Sequence, residues 1–183
     1  MAKAGLLKDN NKKVIRKCVY MNNEHIIYTS PKATIKVQNP RSILLKGPLS
    51  RVHFHAELEI LYVTRGSLQY HVDNKLFPAK AGDVVFVNTQ VPHFGEILED
   101  NTTFIMIQFL APTLIIDPSI TYLAKYLFKT DYPCHVFKMP YKDATLLSNL
   151  IEEINENHNW ADRAHEYLII AKKYEILHFL YKN

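Results

Sequence analysis

Between residues 24 and 110 apolar and polar positions alternate in short runs; beyond 141 the apolar residues recur at helical spacing. Alternation at period two marks a strand with one buried face. Recurrence at three and four residues marks a helix with one apolar side. Residues 25–28, 34–38 and 42–45 read as short strands, with Pro31 and Pro40 between them. A longer strand is predicted from about 52 to 64. It turns at Arg65-Gly66-Ser67 and returns over 67–72. Asp73-Asn74 is a hairpin signal, because both residue types tolerate a left-handed backbone. Residues 75–78 follow, then a turn over 80–83, an apolar strand over 84–88 and a last run over 103–110. Many short strands at near-regular spacing predict a jelly roll or barrel.

After Pro112 the pattern changes. Residues 120–128 read as a short helix and 134–137 as a possible final strand. A helix is predicted over 142–157, with Asp143 as its N-cap. Leu146, Leu147, Leu150, Ile151 and Ile154 form its apolar stripe. Asn157-His158-Asn159 breaks the pattern. A second helix is predicted over 161–181, with Tyr167, Leu168, Ile170, Ala171, Tyr174, Leu177, His178 and Tyr181 as a broad stripe. A short loop between two such helices predicts an antiparallel pair. The pair can pack on the strands or form a dimer interface, and the width of the second stripe favours some dimer contact. The chain thus divides into an arm (1–23), a β-rich body (24–140) and a helical pair (141–183).

The candidate chemistry lies in GPLSRVHFHAELEILYVTRG, from Gly47 to Gly66. On one strand His53, His55, Glu57 and Glu59 share a face, followed by Leu61 and Val63. Two imidazoles and a carboxylate suit a borderline divalent metal, or a polar ligand in a pocket. A second stretch, from Ala81 to His93, has a Gly82-Asp83 turn, an apolar strand, a polar loop and Pro92-His93. Tyr70 and Gln108 are candidate pocket walls; their facing depends on register, since a one-residue bulge reverses it. His25, His71, His135, His158, His165 and His178 show no ligand spacing with one another.

These two stretches resemble the paired motifs of the cupin superfamily. The first matches at each fixed position. The second keeps Gly82 and His93 and departs at Asn88, Gln90 and Ile97. Residues 40–110 resemble more narrowly the N-terminal effector-binding half of AraC-type transcription regulators. The resemblance implies a mainly β fold: a cupin double-stranded β-helix, or jelly-roll barrel, followed by the helix pair. It places His53, His55, Glu59 and His93 at the positions that hold a divalent metal in metal-binding cupins; Zn, Ni, Fe and Mn all suit such ligands. Alternatively these groups bind a small polar effector without metal, with Glu57, Tyr70 and Gln108 in the lining. The implied role is effector sensing, with homodimerisation through the C-terminal helices, an N-terminal arm over the ligand, and DNA contacted through a domain outside this chain. That is a non-enzymatic role. The alternative is a stand-alone metal-binding cupin enzyme of the dioxygenase or isomerase type.

Composition narrows this little. The chain has 183 residues, 48% hydrophobic and 22% charged, enough for one domain with a sizeable core. Its net charge of +4 is uneven: residues 1–17 carry six basic side chains against one acidic, and the rest carry 16 against 17. The basic excess therefore belongs to the arm, and the body lacks the basic surface of a DNA-binding domain. No helix-turn-helix with a basic recognition helix is recognisable, and no phosphate loop or catalytic triad order appears. Absence of a signal-like or membrane-spanning apolar run predicts a cytoplasmic protein with no membrane partner, and Cys18 and Cys134 as free thiols.

Overall fold

The computed structural model describes residues 22–29, 34–39, 44–110, 133–140, 142–157 and 163–182. Among the described residues, eleven strands and two helices follow in order: β1 Asn22–Asn23, β2 Ile35–Gln38, β3 Gly47–Pro48, β4 His53–Phe54, β5 Leu58–Arg65, β6 Ser67–Val72, β7 Lys75–Lys80, β8 Val84–Val87, β9 His93–Ile97, β10 Thr103–Phe109, β11 Cys134–Phe137, α1 Lys142–Asn157 and α2 Arg163–Lys182. They make a mainly β jelly-roll-like sandwich with two C-terminal helices. One sheet has the order β1-β4-β9-β6-β7, with β3 also on β9; the other is β11-β8-β5-β10-β2.

Period-two alternation sorts each strand between two cores. On β5, Leu61 and Val63 enter the space between the sheets, where they meet Leu68, Tyr70, Val85, Val87, Ile97 and Phe104. Leu58 and Ile60 point the other way. They join Ile35, Ile107 and Phe109 under Leu147, Ile151 and Ile154 of α1 and Ile169 and Ile176 of α2. The second sheet is therefore buried on both faces, which explains the uninterrupted burial of Val84–Val87. The Asp73-Asn74 turn has the two positive φ angles, 47° and 62°, that its residue types predict. Gly66 is required: its φ is +76°, and a Cβ there would lie 2.9 Å from the Thr102 Cα.

Several expectations are corrected. The motif strand does not run unbroken from 52 to 64: it stops after Phe54 and resumes at Leu58, so His55 and Glu57 sit in a bend. Residues 25–28 form no strand, and Leu44 makes an isolated bridge to Thr102. Strand β9 was not predicted, because Pro92 and Gly95 flank and interrupt its short pattern. Helix α1 begins at Lys142, which puts Asp143 inside its first turn and not at the cap. The face that α2 buries is set by Ile169, Lys173, Ile176, Leu177 and Phe179, while Tyr167 and Leu168 of the expected stripe are exposed. The helix expected over 120–128, the arm residues 1–21, and residues 42, 43 and 158 lie outside the described residues.

The Gly-Asp turn has a structural role. Asp83 is fully buried and accepts from the Lys80 N–H at 3.0 Å, the Met139 N–H at 3.0 Å and the Lys138 ammonium at 2.9 Å. It clasps the segment that leads from β11 to α1. Burial alone would raise its carboxyl pKa, but the Lys138 and backbone hydrogen bonds outweigh it and hold the group below its ordinary 3.8. Asp83→Asn is expected to cost about 2–3 kcal/mol at neutral pH, read by urea unfolding. The folded pKa is depressed, so this contribution is full above 3.8 and is lost as pH falls through the lower folded value. The wild-type and variant stabilities should converge in acid; a difference that stayed constant there would contradict an ionised clasp.

Candidate functional site

Two strands of the first sheet, the bend after β4 and one strand of the second sheet bring the motif residues together. His53 on β4 is paired with His93 on β9, and Glu59 lies on β5 of the facing sheet. His55 sits in the bend between β4 and β5, where its carbonyl accepts from the Gln90 N–H at 2.8 Å and so joins the two motif stretches. One donor atom each from His53, His55, Glu59 and His93 lie within 4.8 Å of one another, and all four residues are buried.

The backbone aims the imidazoles. Nδ1 of His53 donates to the Arg51 carbonyl at 2.8 Å, that of His93 to the Val91 carbonyl at 2.8 Å, and that of His55 to the Glu57 carbonyl at 3.1 Å. A ring whose Nδ1–H is committed to a carbonyl presents its Nε2 lone pair. The Nε2 of His93 is buried without a hydrogen-bond partner; its 3.7 Å separation from Glu59 is too long for one. Glu59 is held by the Tyr70 hydroxyl at 2.5 Å and the Gln108 amide at 2.7 Å, and its Oε2 lies 3.2 Å from His55 Nε2. Three oriented nitrogens, one of them orphaned, and a fixed carboxylate fit a divalent metal; His53, His55, Glu59 and His93 would hold it.

The electrostatics agree with that donor set. Burial would raise Glu59, but His55 and His93 outweigh it and keep the carboxyl well below its ordinary 4.5. Burial would lower His93, yet Glu59 raises it above 6.5. His53 is lowered, chiefly by burial. Burial and then Glu59 push the Tyr70 hydroxyl well above 10, so it stays a donor. Cys134 in the same interior is pushed up to about 12 by burial and then by Glu59, which leaves an inert thiol.

A cavity of about 200 Å³ opens onto this centre, with His53, Glu59, Tyr70, His93 and Gln108 in its wall. Tyr70 and Gln108 thus face inward. Glu57 does not join them: it is buried behind His55, where its carboxylate accepts from Tyr28 at 2.6 Å. Burial and this contact raise the Tyr28 pKa. The break after Phe54 is what turns Glu57 out of the alternation. Sequence reading missed Glu24 and Lys36, both in the cavity wall. Glu24 stands in a stretch with no strand periodicity. Lys36 could have been found, because its inward facing follows from the burial of Ile35 and Val37 on either side.

The family model of AraC-like ligand-binding domains matches residues 47–115, the segment that contains His53, His55, Glu59 and His93. Over these residues the chain is similar to AraC-like ligand-binding domains. Solved structures similar to the chain include ToxT from Vibrio cholerae O395, at 10% identity and a TM-score of 0.45, over 77% of this chain and 52% of that one. The AraC-like transcriptional activator CuxR is similar at 15% identity and a TM-score of 0.47, over 68% and 41%. The chain spans about half the length of the ToxT structure it matches. No curated protein sequence matches it. Among the described residues, no helix is long and apolar enough to cross a membrane.

Proposed function

We propose that this chain is the effector-sensing part of an AraC-type transcription regulator, with a small polar molecule bound over a divalent metal centre. The observation that carries the metal part is the common orientation of three imidazoles by backbone carbonyls around Glu59. The metal would polarise and anchor a ligand group, while Tyr70 and Gln108 hold Glu59 in place. The α1–α2 pair supports a dimerisation role, because Tyr167 and Leu168 of α2 and Leu146 of α1 are apolar side chains left exposed. DNA reading belongs to a part of the protein other than these described elements, and ligand in the cavity would bias how that part is presented.

Elemental analysis tests the centre. The purified chain is expected to hold about one equivalent of Zn, Ni, Fe or Mn, and His55→Ala to lose it. A protein that folds, resists unfolding by urea and binds no added divalent ion would overturn the metal centre. Metal affinity is expected to fall with pH. Protons compete for His93, whose raised pKa starts that competition above the ordinary histidine value. The regulatory reading is tested in full-length protein. Equal operator binding with and without every ligand shown to enter the cavity would end it.

A further inference from the structure

Two charged side chains in the cavity wall are not among the four convergent donors: Glu24, just after β1, and Lys36 on β2. Their carboxylate and ammonium lie 3.8 Å apart, and the other oxygen of Glu24 lies 3.2 Å from His53 Nε2. Glu24 therefore spans the mouth of the cavity between a cation and the nitrogen that faces the centre. Lys36 is directly opposite Gln108 in the β2–β10 register, so its ammonium belongs to the same inner face. Among the described residues, the ion pairs of Lys36 end at Glu24.

We propose that the cavity takes a small carboxylate, bound between Lys36 and the His–Glu centre, in the position that Glu24's own carboxylate occupies in the free protein. The inference rests on the ligand-sensing reading above and adds the ligand class. Charge argues for it. Without Glu24, a divalent ion and Lys36 outweigh the single charge of Glu59, and an anion restores the balance. Geometry argues for it too, because a carboxylate is already seated there. The Glu24–Lys36 contact is long at 3.8 Å and the Glu24 side chain is about one-third exposed, so an external anion can displace it at small cost. The size of the space sets the scale. A volume near 200 Å³ is below the roughly 300–1,000 Å³ of pockets for drug-sized ligands. Leu49, Phe104 and Met106 supply an apolar wall for a short carbon body.

The test compares butyrate with its neutral isostere butyramide by NMR or calorimetric titration of the whole chain loaded with Zn²⁺. Butyrate is expected to bind more tightly. Glu24→Gln, which removes the internal competitor, should widen the acid-over-amide preference by about threefold to tenfold. Lys36→Met should shrink it by about tenfold, and Lys36→Arg should restore it. The opposite signs at two neighbouring residues separate ligand recognition from a merely structural ion pair. Should Lys36→Met fold poorly, Glu24→Gln and Lys36→Arg carry the comparison. Equal binding of acid and amide, or a weaker preference in Glu24→Gln, overturns the carboxylate assignment and leaves the sensing reading in place. No binding of either probe while Zn²⁺ is held at one equivalent has the same consequence. If Zn²⁺ is not held either, the metal-centred reading falls with it.

Discussion

Glu59→Ala is expected to remove about 3–5 kcal/mol of stability and the metal centre together. Glu59 is almost fully buried, and four groups converge on it: the Tyr70 hydroxyl, the Gln108 amide and the imidazoles of His55 and His93. Truncation leaves the buried Tyr70 hydroxyl and Gln108 amide without this acceptor, and an unmet buried polar group costs about 1–3 kcal/mol. It also removes the one carboxylate among four candidate ligands. Glu59→Gln separates the two effects. Its amide oxygen can still accept from Tyr70, so most of the stability should survive, while the loss of charge still weakens metal binding. Urea unfolding and elemental analysis of both variants give the comparison. If Glu59→Ala lost under about 1 kcal/mol and kept its metal, Glu59 would not be the hub described here.

The second large effect has the opposite sign. Lys173→Met is expected to stabilise the protein by about 2–3 kcal/mol at neutral pH. Lys173 lies on the face of α2 that packs against the sheet and is 1% exposed. Its ammonium is 3.3 Å from Thr34 Oγ1 and 5.2 Å from the centre of the Phe109 ring. Burial lowers its pKa from 10.5 to about 8. Between those values the unfolded chain binds more protons than the folded one, so stability rises with pH across that window. Below about 8 the penalty is present in full. The variant should therefore gain most at neutral pH, and its advantage should shrink towards pH 10.5. Thermal unfolding at several pH values reads this directly. A Lys173→Met protein less stable than wild type at neutral pH would mean that the ammonium's contacts outweigh its burial.

Local pattern was enough for much of this molecule. Period-two alternation in β2 and β6 and the stripe of α1, Leu146 apart, report burial on one face, and a strand or helix with one buried face needs no knowledge of its partner. The resemblance of the two motif stretches to the cupin motifs implied that His53, His55, Glu59 and His93 meet, and the pairing of β4 with β9 and the facing β5 bring them together. Other features depended on tertiary contacts. The bend at 55–57 sends Glu57 to Tyr28, and nothing local distinguishes it from Glu59. In α2, Leu168-Ile169-Ile170-Ala171 is apolar without a break, so periodicity cannot fix the helix's rotation; packing against α1 and the core beneath it selected Ile169 and Ile176 and drew Lys173 in with them. Glu24 and Lys36 meet across 12 positions of sequence because β1 and β2 edge different sheets at the same mouth. Alternation identifies the two faces of each element by itself. Which charged groups those faces bring within reach of one another is a long-range property, and the fold alone decides it.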